Sequence, residues 1–341
     1  MTTYHGEITV DPVTGVPMAV CDICNKVVKL QGLGGHRHYS HGAGAKANKE
    51  DVATSSETVA EAVANITGEH KYRPMPGLLG LWTAVTKGAR NGQHPANILF
   101  VGPSGSGKTE GAKFLAAKSG LDLVKVDAAS MVDAESWFGQ REVIAENGLA
   151  VTRYVPSAFV EALTRPCVIL IDEMNRITDS QRQVLLPLLD STHRVMNPLT
   201  GLVIEKHPEC YILMSGNIGL QFTGTSAIDP AFMDRSLVVE FDYPEAADEV
   251  AIAMEATGVA EAVAQMFVRL AAESRNKAKA DPDFNPISTR EIISMSRLVA
   301  NGLTPALAVK FAVLNSASND GGGSSVRAQL ETIWRGLAPA Y

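Results

Sequence analysis

Cysteine is scarce in this chain, with four in 341 residues, and that scarcity excludes a disulfide scaffold. Cys167 and Cys210 stand alone inside apolar runs and read as core thiols. Only Cys21 and Cys24 form a pair. Such usage belongs to a reducing compartment, so a cytoplasmic location is expected. No apolar run approaches the roughly 20 residues that a membrane helix needs. The hydrophobic fraction is nevertheless 45%, ample for a buried core. Met1 to Val10 lack the basic stretch and apolar core of a signal peptide. There is no basic excess either. The formal net charge is −7 with the two signs interspersed, which argues against a general polyanion-binding surface and leaves room only for a local basic patch. No internal repeat is visible, and the length suggests two or three units.

What the chain does have begins at Gly102. Gly102-Pro103-Ser104-Gly105-Ser106-Gly107-Lys108-Thr109 fits G-x-x-x-x-G-K-[ST], a phosphate-binding loop. The glycines let the backbone turn tightly and aim several N–H groups at one point. A helix beginning near Lys108, with Glu110 in its first turn, adds its positive dipole end. Lys108 is expected to reach the β- and γ-phosphates, and the Thr109 hydroxyl to ligate Mg²⁺. The apolar run 96–101 before the loop reads as its strand.

Composition divides the chain. Residues 1–44 hold the cysteine pair and four of the eight histidines. Residues 45–73, rich in Ala, Glu, Thr and Ser, read as a linker with a short helix at Glu57 to Ile66. From residue 74 to 243, strand-length apolar runs at 97–101, 122–126, 167–171, 211–215 and 237–241 alternate with helical patterns. That alternation predicts an α/β fold, a parallel sheet sandwiched by helices. From 244 to 341 only helices are expected, at 245–256, 259–276, 288–300, 304–316 and 325–336.

The run 168–171 ends in Asp172-Glu173. Asp172 at a strand end can hold Mg²⁺ through its water shell, and Glu173 can polarise an attacking water as a general base. Ligands of open α/β sheets bind beyond the carboxyl ends of strands, which suits both residues. Asn217, after the run 211–216, can orient the water or sense the γ-phosphate. Arg235 and Arg290 supply guanidinium groups that could stabilise a transferring phosphoryl group, one of them from a neighbouring subunit.

Taken together, G-P-S-G-S-G-K-T, L-I-D-E-M-N-R, M-S-G-N, D-P-A-F-M-D-R and S-T-R, followed by helices, resemble an AAA+ ATPase. The likeness covers about residues 74–316. It is to the MoxR and dynein-related branch, which includes the ATPase subunit of aerobic cobaltochelatase. Asp172-Glu173-Met174-Asn175-Arg176 and Gln221 to Thr225 leading into Ile228-Asp229-Pro230 are typical of that branch. The resemblance implies a P-loop NTPase domain followed by an all-α lid domain, with ATP bound between subunits of a homo-oligomeric ring, commonly a hexamer. It assigns Asn217 as sensor 1, Arg235 as the trans-acting arginine finger and Arg290 as sensor 2, and it turns Arg176 toward the neighbour. Ser236 departs from the family, which usually has an aromatic after the arginine. Two hairpins also fit the branch, at 136–158 around the Asn147-Gly148 turn signal and at 192–208. In relatives such hairpins face the ring pore or bound substrate.

The amino-terminal pair extends to a metal site. Cys21-x-x-Cys24 is followed after eleven residues by His36 and after four more by His41, with His38 as another candidate. The segment 18–42 resembles a C₂H₂ zinc finger, with Val28 and Leu33 as its small core. Thiolates and imidazoles at this spacing favour Zn²⁺, and the metal would supply the folding energy of so short a segment. Arg37, His38, Lys26, Lys29 and Lys46 are thin for reading DNA, and the glycines work against a long recognition helix. A protein-docking finger is favoured, with nucleic acid second. The function expected is Mg-dependent ATP hydrolysis that remodels a protein or protein complex. Relatives often work with a von Willebrand factor A-type partner. A nucleic-acid motor or assembly switch and a chelatase-type ATPase subunit are the alternatives.

Overall fold

The three central strands of the main sheet are apolar on both of their faces, and the fold follows from that. In strand β4 (Asn97–Gly102) every residue is buried. Leu99 and Val101 pack into one core cluster and Ile98 and Phe100 into another. The same alternation divides Ile169 and Ile171 from Val168 and Leu170, and Ile212 and Met214 from Tyr211 and Leu213. A strand with period-two side chains and two apolar sets must be covered on both sides. Burying each such side chain stabilises the fold by roughly 1.5–3 kcal/mol.

The computed structural model describes residues 8–10, 17–20, 27–29, 72–91, 93–146, 149–217, 229–281, 284–320 and 325–337. The chain divides into two compact units, residues 1–65 and 66–341. In the first, β1 (Ile8–Val10), β2 (Pro17–Val20) and β3 (Val27–Lys29) form an antiparallel sheet in that order. Cys21, Cys24, His36, His38 and His41, expected to bind zinc, lie outside the described residues, as does the expected helix at 57–66.

In the second unit α1 (Leu78–Arg90) precedes β4, and α2 (Lys108–Ser119) follows the loop after it. Then come β5 (Leu123–Asp127), the antiparallel hairpin β6 (Gly139–Glu146) and β7 (Leu149–Pro156), α3 (Ala158–Leu163) and β8 (Cys167–Asp172). They are followed by α4 (Asp179–Leu189), the hairpin β9 (Arg194–Met196) and β10 (Val203–Glu205), β11 (Cys210–Asn217), α5 (Pro230–Asp234) and β12 (Ser236–Glu240). The five-stranded sheet has the order β12-β4-β11-β8-β5, and all of its pairings are parallel. Its strands lie within a residue or two of the sequence expectation, and both expected hairpins are present. After β12 the described residues are helical: α6 (Ala246–Thr257), α7 (Glu261–Ala280), α8 (Thr289–Ala300), α9 (Pro305–Val309), which runs on as a π-helical turn through Leu314, and α10 (Val326–Leu337). They share a separate core around Phe267, Ile292 and Leu330. Among the described residues no helix is long and apolar enough to cross a membrane.

Candidate active site

The loop between β4 and α2 is shaped by three glycines with positive φ. Gly102, Gly105 and Gly107 stand at 151°, 71° and 94°, where a side chain is strained. Two of them also have no room for one. A Cβ on Gly102 would lie 2.1 Å from the Phe241 carbonyl oxygen, and one on Gly105 would lie 2.7 Å from Cβ of Ser288. The loop therefore touches both the end of the sheet and the start of α8. The Ser106 hydroxyl is buried within it and has no protein partner.

Lys108 opens α2 and is itself buried. Its ammonium donates to the carbonyl oxygens of Gly102 (2.9 Å) and Pro103 (2.7 Å) and to Oδ1 of Asn217 (2.9 Å). Burial pulls its pKa down to about 8. Asp172 opposes that shift and Arg290 adds to it.

Beside it, Thr109 Oγ1 donates to Asp172 Oδ2 at 3.2 Å. The same carboxylate is bonded by the Ser215 hydroxyl and ion-paired with Lys125 at 2.8 Å. Burial pushes the Asp172 carboxyl up, but bonds from Lys125, Ser215 and Thr109 outweigh it and hold the group below the ordinary carboxylate range. Asp172 is thus ionised and aimed at the first turn of α2. A hydroxyl and a carboxylate so placed are hard oxygen donors of the kind Mg²⁺ takes, usually with several waters retained.

Glu173 follows in the left-handed region (φ 59°, ψ 43°). Such backbone costs a non-glycine residue roughly 1–3 kcal/mol and clusters at functional sites. Its carboxylate pairs with Arg176, whose Nε lies 2.8 Å from Glu173 Oε2.

These residues line one cavity of about 1000 Å³ between the carboxyl ends of the strands and the helical region. Residues 104–110, Asp172, Glu173, Asn217 and Arg290 are all on its wall. Arg290 projects from the first turn of α8, whose start is held by a reciprocal cap: Glu291 N donates to Ser288 Oγ and Ser288 N donates to the Glu291 carboxylate. Arg235 is not on that wall. It precedes Ser236, which pairs with Asn97 at the far end of β4, and Asn97 Nδ2 donates to its carbonyl oxygen. Five residues of strand, about 17 Å at the usual rise, separate that position from the phosphate loop. One terminal nitrogen donates to Ala231 O, and its Nε is buried without a partner.

Several wall or support residues escaped the sequence reading. Ser215 and Lys125 hold Asp172, and for Ser215 the clue was a polar residue within an otherwise buried strand. Tyr72 and Arg73, at the end of the stretch read as linker, line the cavity. Tyr72 packs beside Gly107 and Phe114, and Arg73 pairs with Asp248 and Glu255 of α6. Among the described residues no group of three or more His, Cys, Asp or Glu is placed to hold a metal ion.

Two family profiles match this chain. The AAA domain (dynein-related subfamily) covers residues 97–236, and the CbbQ/NirQ/NorQ C-terminal region covers residues 249–334. Fold, phosphate loop and profiles together define an AAA+ ATPase. The denitrification regulatory protein NirQ of Pseudomonas aeruginosa is 27% identical over 67% of this chain and 85% of its own length. Protein CbbQ of Hydrogenophilus thermoluteolus is 28% identical over 65% and 81%. BssE of Thauera aromatica, named as a candidate chaperone, is 29% identical over 62% and 71%. Within the AAA+ class the chain is similar to the CbbQ/NirQ/NorQ proteins, whose C-terminal profile its residues 249–334 match. A solved RuvB mutant of Thermotoga maritima overlays with a TM-score of 0.47 at 14% identity, over 73% of this chain and 72% of that one.

Proposed function

We propose that this chain hydrolyses ATP at a site shared between subunits of a ring, and that the cycle remodels a partner protein. The carrying observation is the meeting of Lys108, Thr109, Asp172, Glu173 and Asn217 on one cavity wall between the sheet and the helical region. The loop's N–H groups and the Ser106 hydroxyl bind the phosphates. Lys108 exchanges loop carbonyls for phosphate oxygens, a better partner for an ammonium. Thr109 and Asp172 hold Mg²⁺, which supplies charge neutralisation at the phosphates. Glu173 takes the proton of the attacking water, with Asn217 orienting it.

Arg235 is the argument for a ring. About 17 Å of strand separates it from its own phosphate loop, so it serves the site of a neighbour. Arg290, on the cavity wall, is the arginine supplied from within the chain. A hexamer, and a client bearing a von Willebrand factor A-type site, follow from the family resemblance. The naming of BssE as a candidate chaperone supports a protein client. Residues 1–44 are proposed as a zinc-binding recruitment module, with protein ahead of nucleic acid as its target.

The test is Mg-dependent ATPase activity of the full chain. Lys108→Ala should lose nucleotide binding, and Glu173→Gln should keep binding while hydrolysis falls about 10²–10⁴-fold. Parental turnover in either variant would sink the reading. Clients are then sought by pull-down with Glu173→Gln held in ATP.

A further inference from the structure

The phosphate loop is gripped from outside by the segment that joins the sheet to the helical region. Phe241 packs against Phe100 with ring centroids 4.8 Å apart and the rings tilted by 53°, and its carbonyl oxygen faces Gly102 where a side chain would sit. Two residues on, the Tyr243 hydroxyl donates to the carbonyl oxygen of Ser104, on the loop itself, at 3.3 Å. Pro244 follows and α6 begins at Ala246. Tyr243 therefore stands at the junction of the two halves of the cavity with its polar end on the loop.

Its other contact reaches deep into the helical region. The Arg275 guanidinium of α7 lies 3.7 Å from the centroid of the Tyr243 ring. Two of its nitrogens donate to the two oxygens of Glu249 on α6, both at 2.8 Å, and its Nε donates to Ile287 O at 3.0 Å. Glu249 is buried, and one of its oxygens also accepts from Thr289 Oγ1 at 2.5 Å. Thr289 is the neighbour of Arg290. One unbroken chain of contacts thus runs from Ser104 through Tyr243, Arg275 and Glu249 to the start of α8, where Arg290 enters the cavity. A bidentate arginine–carboxylate pair is geometrically strict, and an arginine face on an aromatic ring is a directional contact. Displacing α8 would strain every member of the chain.

We infer that Tyr243 is a positioning residue for nucleotide binding, holding the phosphate loop at the Ser104 carbonyl in a set tied to the seating of the helical region through Arg275 and Glu249. This rests on the cavity being the ATP site. Burial pushes the Tyr243 phenol up to about 12, so it remains a donor throughout the working pH range.

Tyr243→Phe removes the hydroxyl and keeps the ring under Arg275. The expected result is a rise in KM for ATP of about three- to tenfold, what one hydrogen bond is worth, with kcat retained. Affinity for Mg-tripolyphosphate, which lacks the base, should weaken by the same factor. Arg275→Lys keeps a charge for Glu249 and loses the planar contact, and it should raise KM in the same direction. A purely structural role would lower the melting temperature and the active fraction, and so the apparent kcat, at unchanged KM. That pattern, or an unchanged KM in Tyr243→Phe, overturns the inference. Lys108→Ala run alongside separates the two questions: nucleotide binding that survives it condemns the assignment of the cavity rather than the role of Tyr243.

Discussion

Raising the pH should loosen nucleotide binding, because the ammonium proposed to meet the phosphates is half-way to losing its proton at a pH of about 8. Burial holds Lys108 at about 8 before nucleotide arrives. A triphosphate beside it favours the charged form, so its pKa rises on binding. Below pH 8 both states carry the proton and affinity is flat. Above pH 8 the free protein has lost it and binding must take one up. Affinity then falls by about tenfold per pH unit until the bound-state pKa is reached. From pH 7 to 9 the loss is about tenfold and at pH 10 about a hundredfold. Tyr72 and Tyr243 are pushed to about 12 and do not titrate in this window. The assay is calorimetric titration of Mg-ATP at pH 7 to 10 in two buffers of different ionisation enthalpy, which also counts protons taken up. Lys108→Arg keeps its charge throughout and should bind, however weakly, with no slope. A flat parental profile without proton uptake at pH 9 would refute the argument. The sign for stability is opposite. Between 8 and the ordinary lysine value of 10.5 the unfolded chain binds more protons. The nucleotide-free fold should therefore gain up to about 3 kcal/mol as pH rises through that window.

Three further outcomes are expected, two from the geometry of the site and one from the amino-terminal sequence. Arg235→Ala should bind ATP as the parent does and lose hydrolysis by about 10³-fold or more; adding Lys108→Ala subunits, which carry Arg235 but no working site, should restore turnover in mixed rings, and failure to do so rejects the shared site. Ser215→Ala removes one of the bonds that aim Asp172, so the Mg²⁺ concentration for half-maximal activity should rise about 10-fold or more; an unchanged Mg²⁺ dependence would show that the serine only fills space. One zinc per chain should be found by metal analysis of the full protein and lost in Cys21→Ser/Cys24→Ser, with the ATPase rate of the remainder preserved.

The central strands of the main sheet were legible because they are covered on both faces. Such strands appear as continuous apolar runs, and Cys167 to Ile171 or Tyr211 to Ser215 have no competing helical period. The phosphate loop was legible for a different reason. Its chemistry belongs to backbone N–H groups, so the glycines that permit the conformation are the signal itself. Asp172 and Glu173 were marked by charge at the end of an apolar run. Ser215 and Lys125 carried a fainter mark. Nothing local distinguishes a serine that bonds a carboxylate on the next strand from one that merely tolerates burial.

By itself, then, the order of residues determined where a triphosphate would be held, since a loop of eight neighbouring residues contains nearly all of that chemistry. It could not determine what surrounds the loop. Tyr72 and the pair Tyr243 and Arg290 come from segments more than a hundred residues apart, and only tertiary packing brings them to the wall of one cavity. The register of β12 against β4 likewise carries Arg235 to the far end of the sheet. Local pattern reports backbone conformation and burial, whereas distance between remote side chains is settled by packing alone.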